Sequence, residues 1–182
     1  MNQIARFGMV LGVICLLATL VLALTYQVTK PKIEEQLKKE EQAALKAISP
    51  YTDSFREKSI DGINYFEALK GGKLQGYCLR ITANGYSGFI RLMAGIDLNG
   101  IITGVRVLEQ QETPGLGARI DEVRPGENAP WFLRQFRGKD SRNLEVKKSI
   151  DAITGATISS RAVTEGITKA VVEFLSNIHK GK

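Results

Sequence analysis

Residues 77–108, YCLRITANGYSGFIRLMAGIDLNGIITGVRVL, decide the fold. Tyr77–Thr82 reads as a strand. Asn84-Gly85 follows, a strong hairpin signal. Gly88–Ile96 makes a second strand, carrying Phe89, Leu92 and Met93. Asn99-Gly100 marks another tight turn, and Ile101–Leu108 a third strand. This stretch predicts three antiparallel strands in a meander.

Working outward, Pro130–Arg137 is a short helix-like patch with Trp131, Phe132 and Phe136. Leu144–Ile153 is expected to be a further strand. Ser159–Ile178 is an amphipathic helix, with Val163, Ile167, Ala170, Val171, Phe174 and Ile178 on one face. Upstream, residues 32–48 (KIEEQLKKEEQAALKAI) form a charged helix with Ile33, Leu37, Ala44 and Ile48 near one stripe and Glu34/Lys38 and Glu35/Lys39 as i,i+4 pairs. Pro31 is the expected bend at its start, and Ser49-Pro50 ends it. The class is α+β, a mainly antiparallel sheet packed by helices.

Residues 7–26 (FGMVLGVICLLATLVLALTY) hold no charged side chain. Twenty helical residues span about 30 Å, the thickness of a bilayer core. A signal peptide has a shorter apolar run of roughly 7–15 residues and a small-x-small cleavage site; this run is longer. It reads as a single transmembrane anchor. The division expected is a tail at 1–6, the anchor at 7–28, a stalk helix at 29–49 and one globular domain at 50–182. Arg6 on one flank and Lys30 and Lys32 on the other barely set the orientation. The short N-terminal tail favours an N-terminus inside and a body outside the cytoplasm.

Composition narrows the chemistry. The 182 residues carry a net charge of +6, spread along the chain, which is no nucleic-acid footprint. Two cysteines, Cys15 in the anchor and Cys78 in the body, exclude a disulfide scaffold, a cysteine-rich zinc site and a cysteine-ligated iron–sulfur cluster. The single histidine, His179, stands near the C-terminus, a poor place for a catalytic base. The reactive chemistry is therefore expected from a bound group.

Two stretches offer a site for one. Asp151-Ala152-Ile153-Thr154-Gly155-Ala156-Thr157 leads into the last helix, whose unpaired first-turn N–H groups and dipole favour a phosphate. Gly155 allows close approach, and Thr154, Thr157, Ser159 and Ser160 offer hydroxyls. Taken alone, this is also what an ordinary capped turn looks like. Glu112-Thr113-Pro114-Gly115-Leu116-Gly117 follows the third strand: a tight turn with Leu116 as an apolar face and Glu112 and Thr113 as polar edges.

Those residues carry a resemblance. Asp151–Thr157 matches the flavinylation motif Asp-x-x-(Ser/Thr)-Gly-Ala-Thr, and Glu112–Gly117 matches the second signature of the same FMN-binding domains. The chain resembles the family that contains the G subunits of Rnf electron-transport complexes, and is similar to the C subunits of sodium-pumping NADH:quinone reductases. The resemblance implies FMN joined by a phosphoester to Thr157. Asp151, Thr154, Gly155 and Ala156 would be the recognition sequence of a separate, Mg²⁺-using flavin transferase that takes FMN from FAD. Glu112, Thr113, Gly115 and Leu116 would lie near the flavin. Trp131 would serve as an aromatic wall or, more simply, as a core residue. It further implies a single-pass protein of the cell (inner) membrane, its FMN domain extracytoplasmic. There it would relay electrons between ferredoxin and NAD⁺ with the other members of the complex, coupled to ion movement. Two other readings remain: a C-type member of a quinone reductase, and a cofactor-free membrane-anchored assembly module. A domain holding flavin noncovalently is a third.

Overall fold

A computed structural model describes residues 3–180, with the side chains of residues 179 and 180 outside that description, that of His179 among them. The chain divides into two units, residues 1–41 and 42–182. Helix α1 runs Gln3–Ile48 with Pro31 inside it. It is long and apolar enough to cross a membrane, with a window of mean hydropathy 2.7 and no part of that window buried. The Thr19 and Thr25 hydroxyls donate to the carbonyls of Cys15 and Val21, each at 2.8 Å, so neither is left bare along the apolar run.

The second unit is built on five strands, β1 Ser54–Ile60, β2 Ile63–Lys70, β3 Lys73–Asn84, β4 Phe89–Asp97 and β5 Ile102–Gln110. They pair antiparallel in the order β1-β2-β3-β4-β5. The three expected strands are β3, β4 and β5, with Tyr77 opposite Ile96 and Leu92 opposite Val107. Side chains alternate across the sheet as the pleat requires. Tyr65, Leu79, Ile81 and Leu92 face the larger core, while Phe66, Cys78 and Met93 face a smaller one with Ala44, Leu45 and Ile48 from the end of α1.

The larger core is closed by α2 (Trp131–Arg134) and α3 (Thr157–Lys180). Val163, Ile167, Val171 and Phe174 of α3 are fully buried, as their spacing anticipates. Phe174 meets Tyr65 and Tyr77 edge-on, with ring centroids at 4.8 and 5.1 Å.

Residues 144–153 are not the expected strand. The Glu145 carbonyl accepts from the amides of Lys148, Ser149 and Ile150, so the segment folds back on itself with Lys147 at φ +72°. One isolated bridge, Val146 to Ile150, is all the pairing it makes among the described residues. Leu144, Ile150 and Ile153 are buried one by one rather than as a pleated face. The approach to α3 is therefore a loop. Its anchor is the Gln135 side chain, which accepts from the Asp151 N–H at 2.8 Å and donates to the Asp151 carbonyl at 3.2 Å.

Candidate functional site

Three loops at one end of the sheet meet at the start of α3. The first is the β3–β4 hairpin, where the Gly85 N–H donates to the Gly88 carbonyl at 2.8 Å and Tyr86 stands out at the tip. The second follows β5. Its turn Thr113–Leu116 closes with the Leu116 N–H on the Thr113 carbonyl at 3.2 Å, with Pro114 and Gly115 (φ +76°) at the central positions. The third leads into α3: the Ala156 N–H donates to the Ile153 carbonyl at 2.9 Å, with Thr154 and Gly155 (φ +81°) between them. Positive φ at the second central residue is the type II requirement, so both turns use glycine for the same reason.

Between the loops lies a groove of about 410 Å³. Tyr86 of the hairpin, Glu112, Thr113, Leu116 and Gly117 of the loop after β5, and Gly155 to Ser159 at the start of α3 line it. Its size falls within the usual range for small-molecule sites, roughly 300–1,000 Å³. Tyr86, Leu116 and Ile158 are large apolar side chains left exposed around it, 72%, 48% and 54% accessible. Such a cluster at the rim of a cleft marks a binding surface rather than random surface apolarity.

At the helix start, none of the four nearby hydroxyls acts as a cap. The Ser160 N–H reaches the Ala156 carbonyl at 3.0 Å, which puts Ala156, without a capping side chain, at the N-cap. Buried Ser160 instead accepts from the Ile153 N–H at 3.0 Å and donates to the Ala156 carbonyl at 2.9 Å. Ser159 turns away from the helix and donates to Glu112 Oε2 at 2.5 Å. Thr157, partly buried on the groove, makes no hydrogen bond through its hydroxyl among those described.

Glu112 is 6% accessible and ties the loops together. Its Oε1 accepts from the Ser87 N–H at 3.1 Å while Oε2 takes the Ser159 hydroxyl. The Ser87 and Thr113 hydroxyls pair at 2.7 Å.

Of the sequence-selected residues, the structure brings Glu112, Thr113, Leu116, Gly155, Ala156 and Thr157 together on the groove. Asp151 and Thr154 are exposed and do not line it, and Gly115 shapes the turn without reaching it. Trp131 does not line it either; it packs on Phe132 and beneath Arg124, whose guanidinium carbon lies 4.0 Å from the ring centroid. Sequence reasoning gave no site role to Tyr86 or Ile158 and named Ser159 only as an available hydroxyl, without its bond to Glu112. The signal for Tyr86 was an aromatic at the tip of a hairpin; for Ile158, an apolar residue in a first helical turn off the buried face. Among the described residues no cluster of three His, Cys, Asp or Glu could hold a metal.

These residues fit an FMN. The uncapped first turn of α3 suits its phosphate, the free Thr157 hydroxyl stands beside that turn, and the apolar rim suits a flat ring.

Residues 85–172 match the FMN-binding domain family, a region that encloses all three groove loops, and residues 1–48 match the RnfG N-terminal region. The chain is 32% identical to the G subunit of the ion-translocating oxidoreductase complex of Pasteurella multocida, over 97% of this chain and 96% of that one. It is 34% identical to the corresponding protein of Haemophilus influenzae strain PittEE, over 95% and 91%. It is 29% identical to the G subunit of the Na(+)-translocating ferredoxin:NAD(+) oxidoreductase complex of Acetobacterium woodii, over 96% and 93%. Among solved structures, it is similar to Shewanella oneidensis NqrC, with 24% identity, a TM-score of 0.48 and coverage of 67% of this chain and 64% of that one.

Proposed function

The chain belongs to the family of G subunits of ion-translocating oxidoreductase complexes, with an FMN-binding domain, and from that premise we propose that it relays electrons through an FMN covalently joined to Thr157. The complex is an Rnf-type ferredoxin:NAD⁺ oxidoreductase. When bound, the flavin supplies the redox chemistry, and the protein supplies position and polarity.

The observation that carries this reading is the Thr157 hydroxyl, free of any hydrogen bond among those described, on a groove at a helix start that no side chain caps. The first-turn N–H groups and the helix dipole stabilise a phosphate there by about 0.3–2 kcal/mol. Leu116, Ile158 and Tyr86 cover apolar ring surface. Attachment needs an outside enzyme. Among the described residues, Tyr86 and Glu112 are the only titratable side chains on the groove, and both Glu112 oxygens are already engaged by Ser87 and Ser159. No base is left to activate the threonine. The partner for maturation is thus a flavin transferase reading Asp151, Thr154, Gly155 and Ala156, of which all but Ala156 are exposed. The apolar stretch of α1 anchors the chain in the cell membrane by a single pass, with the groove outside the cytoplasm, where a tether prevents loss of the cofactor. The other members of the complex are its redox partners.

Intact mass tests the assignment. Chain made with a transferase should weigh more than its polypeptide by one FMN less one water, and Thr157→Ala should weigh the polypeptide alone. Bare polypeptide mass for both would sink the covalent relay and leave the assembly-module and noncovalent-flavin readings, and a variant as heavy as flavin-bearing wild type would move the attachment off Thr157. External protease should remove the domain from right-side-out vesicles; full protection would reverse the orientation.

A further inference from the structure

Glu112 is the one buried acidic side chain among the described residues, and its partners come from the β3–β4 hairpin and the first turn of α3. Ser87 lies 25 positions before it and Ser159 47 after it. Two glycines are shaped around it. A Cβ on Gly85 would collide with Oε1, and one on Gly117 would collide with Oε2 and fall 2.6 Å from Ser159 Oγ. Gly117 is held free of a side chain by contact rather than by backbone conformation, since its φ is not positive. The Glu112 N–H donates to Gln110 Oε1 at 2.7 Å, which fixes the carboxylate's own backbone. The arrangement is a clasp: one carboxylate holds the β3–β4 hairpin and the first turn of α3 to the loop after β5.

Resting on the reading of Thr157 as the attachment point, we propose that Glu112 is the positioning residue of this site, acting through Ser159 and Ser87 to present Thr157 on the groove. Ser159 is two residues past Thr157 in the same helical turn. Releasing it frees that turn to rotate against the loop that carries Thr113 and Leu116. The carboxylate suits the task because both of its oxygens are acceptors, facing one N–H and one hydroxyl. A glutamine keeps most of this geometry. Its carbonyl oxygen can accept from the Ser87 N–H, and the Ser159 hydroxyl can turn to accept from its NH₂. An alanine keeps none of it.

The test uses the full chain in detergent micelles, prepared without transferase. Hydrogen exchange is first followed at the peptide containing Ser87; purified transferase, FAD and Mg²⁺ are then added, and attachment is timed by intact mass. Glu112→Ala should exchange the Ser87 amide and attach flavin each at least tenfold off the wild-type rate, faster and slower respectively. Glu112→Gln should restore both to within about threefold. Ser159→Ala, which cuts only one arm of the clasp, should slow attachment by an intermediate factor and keeps the test usable if Glu112→Ala does not fold. Val171→Ala, a buried α3 residue in the core, supplies a matched loss of stability and should attach normally. The proposal is overturned if Glu112→Ala attaches at the wild-type rate, if Glu112→Gln is as slow as alanine, or if Val171→Ala is slowed equally. If wild type takes no flavin, the attachment reading fails, and the Ser87 exchange arm still decides whether Glu112 clasps the loops.

Discussion

Thr157→Ala separates an attachment site from a helix cap by its effect on stability. A capping threonine costs about 1 kcal/mol when replaced by alanine. Thr157 is not in that position: Ala156 holds the N-cap, and the Thr157 hydroxyl has no partner to lose among the described residues. Two small terms remain. Alanine gains up to about 0.7 kcal/mol of helix propensity over threonine. The partly buried γ-methyl loses about 0.4 kcal/mol, half the value of a fully buried methylene. The balance lies within about 0.5 kcal/mol of zero, a melting shift of roughly 2 °C or less for a domain of this size. Ser160→Ala, three residues on, is the contrast. It strips the Ile153 N–H of its only acceptor among the described residues, which costs about 1–3 kcal/mol, or roughly 4–12 °C at about 4 °C per kcal/mol. Differential scanning calorimetry of the flavin-free chains in one detergent measures both. Equal destabilisation of the two variants would refute the reasoning, because Thr157 would then be structural.

Gly155→Ala forces an L side chain to φ +81° and sets a Cβ 3.3 Å from Leu116 Cδ2; strain of roughly 1–2 kcal/mol should lower the melting temperature and slow flavin attachment, and an unchanged melt would argue against the turn. Phe174→Ala empties the aromatic cluster with Tyr65 and Tyr77 and should cost about 3–5 kcal/mol in urea unfolding. Burial pushes the Cys78 thiol up to about 11 from an ordinary 9.0, against a weaker lowering by Ser49. The folded state therefore keeps its proton where the unfolded state has lost it, so stability is undiminished below pH 9 and falls as pH rises from 9 toward 11. Urea midpoints across that window should drop more steeply for wild type than for Cys78→Ala; parallel slopes would contradict the burial argument.

The meander was legible because Asn84-Gly85 and Asn99-Gly100 bracket strongly apolar runs. Strands β1 and β2 escaped although their turns carry similar signals. Asp61-Gly62 has φ of +47° and +81°, and Gly71-Gly72 has +54° and +77°. Their strands hid the alternation. In β1 only Phe55 and Ile60 are even partly buried, and its charges are spent on cross-strand partners, Lys58 with Glu67 at 2.7 Å and Glu57 with Arg80 at 2.8 Å. Such charges are how an edge strand resists further pairing, and in sequence they look like loop. Residues 144–153 failed the opposite way: apolar spacing suggested a strand, while local backbone bonds to the Glu145 carbonyl won the amides a ladder would need.

The site was legible as two motifs but not as a mechanism of assembly, and the reason lies in where the hydroxyls point. A run with Thr154, Thr157, Ser159 and Ser160 before a helix reads as a surplus of caps. None is used as one. Ser160 is committed to the loop behind it and Ser159 to a carboxylate 47 positions away, which no local rule anticipates. The helix instead begins on an alanine. Leaving the N-cap bare forgoes about 1 kcal/mol, and a departure from local consistency of this kind is expected where a site has a use for the unsatisfied groups. The compensation is visible in the same turn. Glu112 holds the first turn of α3 through Ser159, and Ser160 satisfies the buried Ile153 N–H, so the turn is held from its sides while its end stays open. An anion bonded at Thr157 would complete the missing cap. The stability of the turn and its readiness for a phosphate then have one origin, with the holding contacts placed beside the attachment point rather than on it.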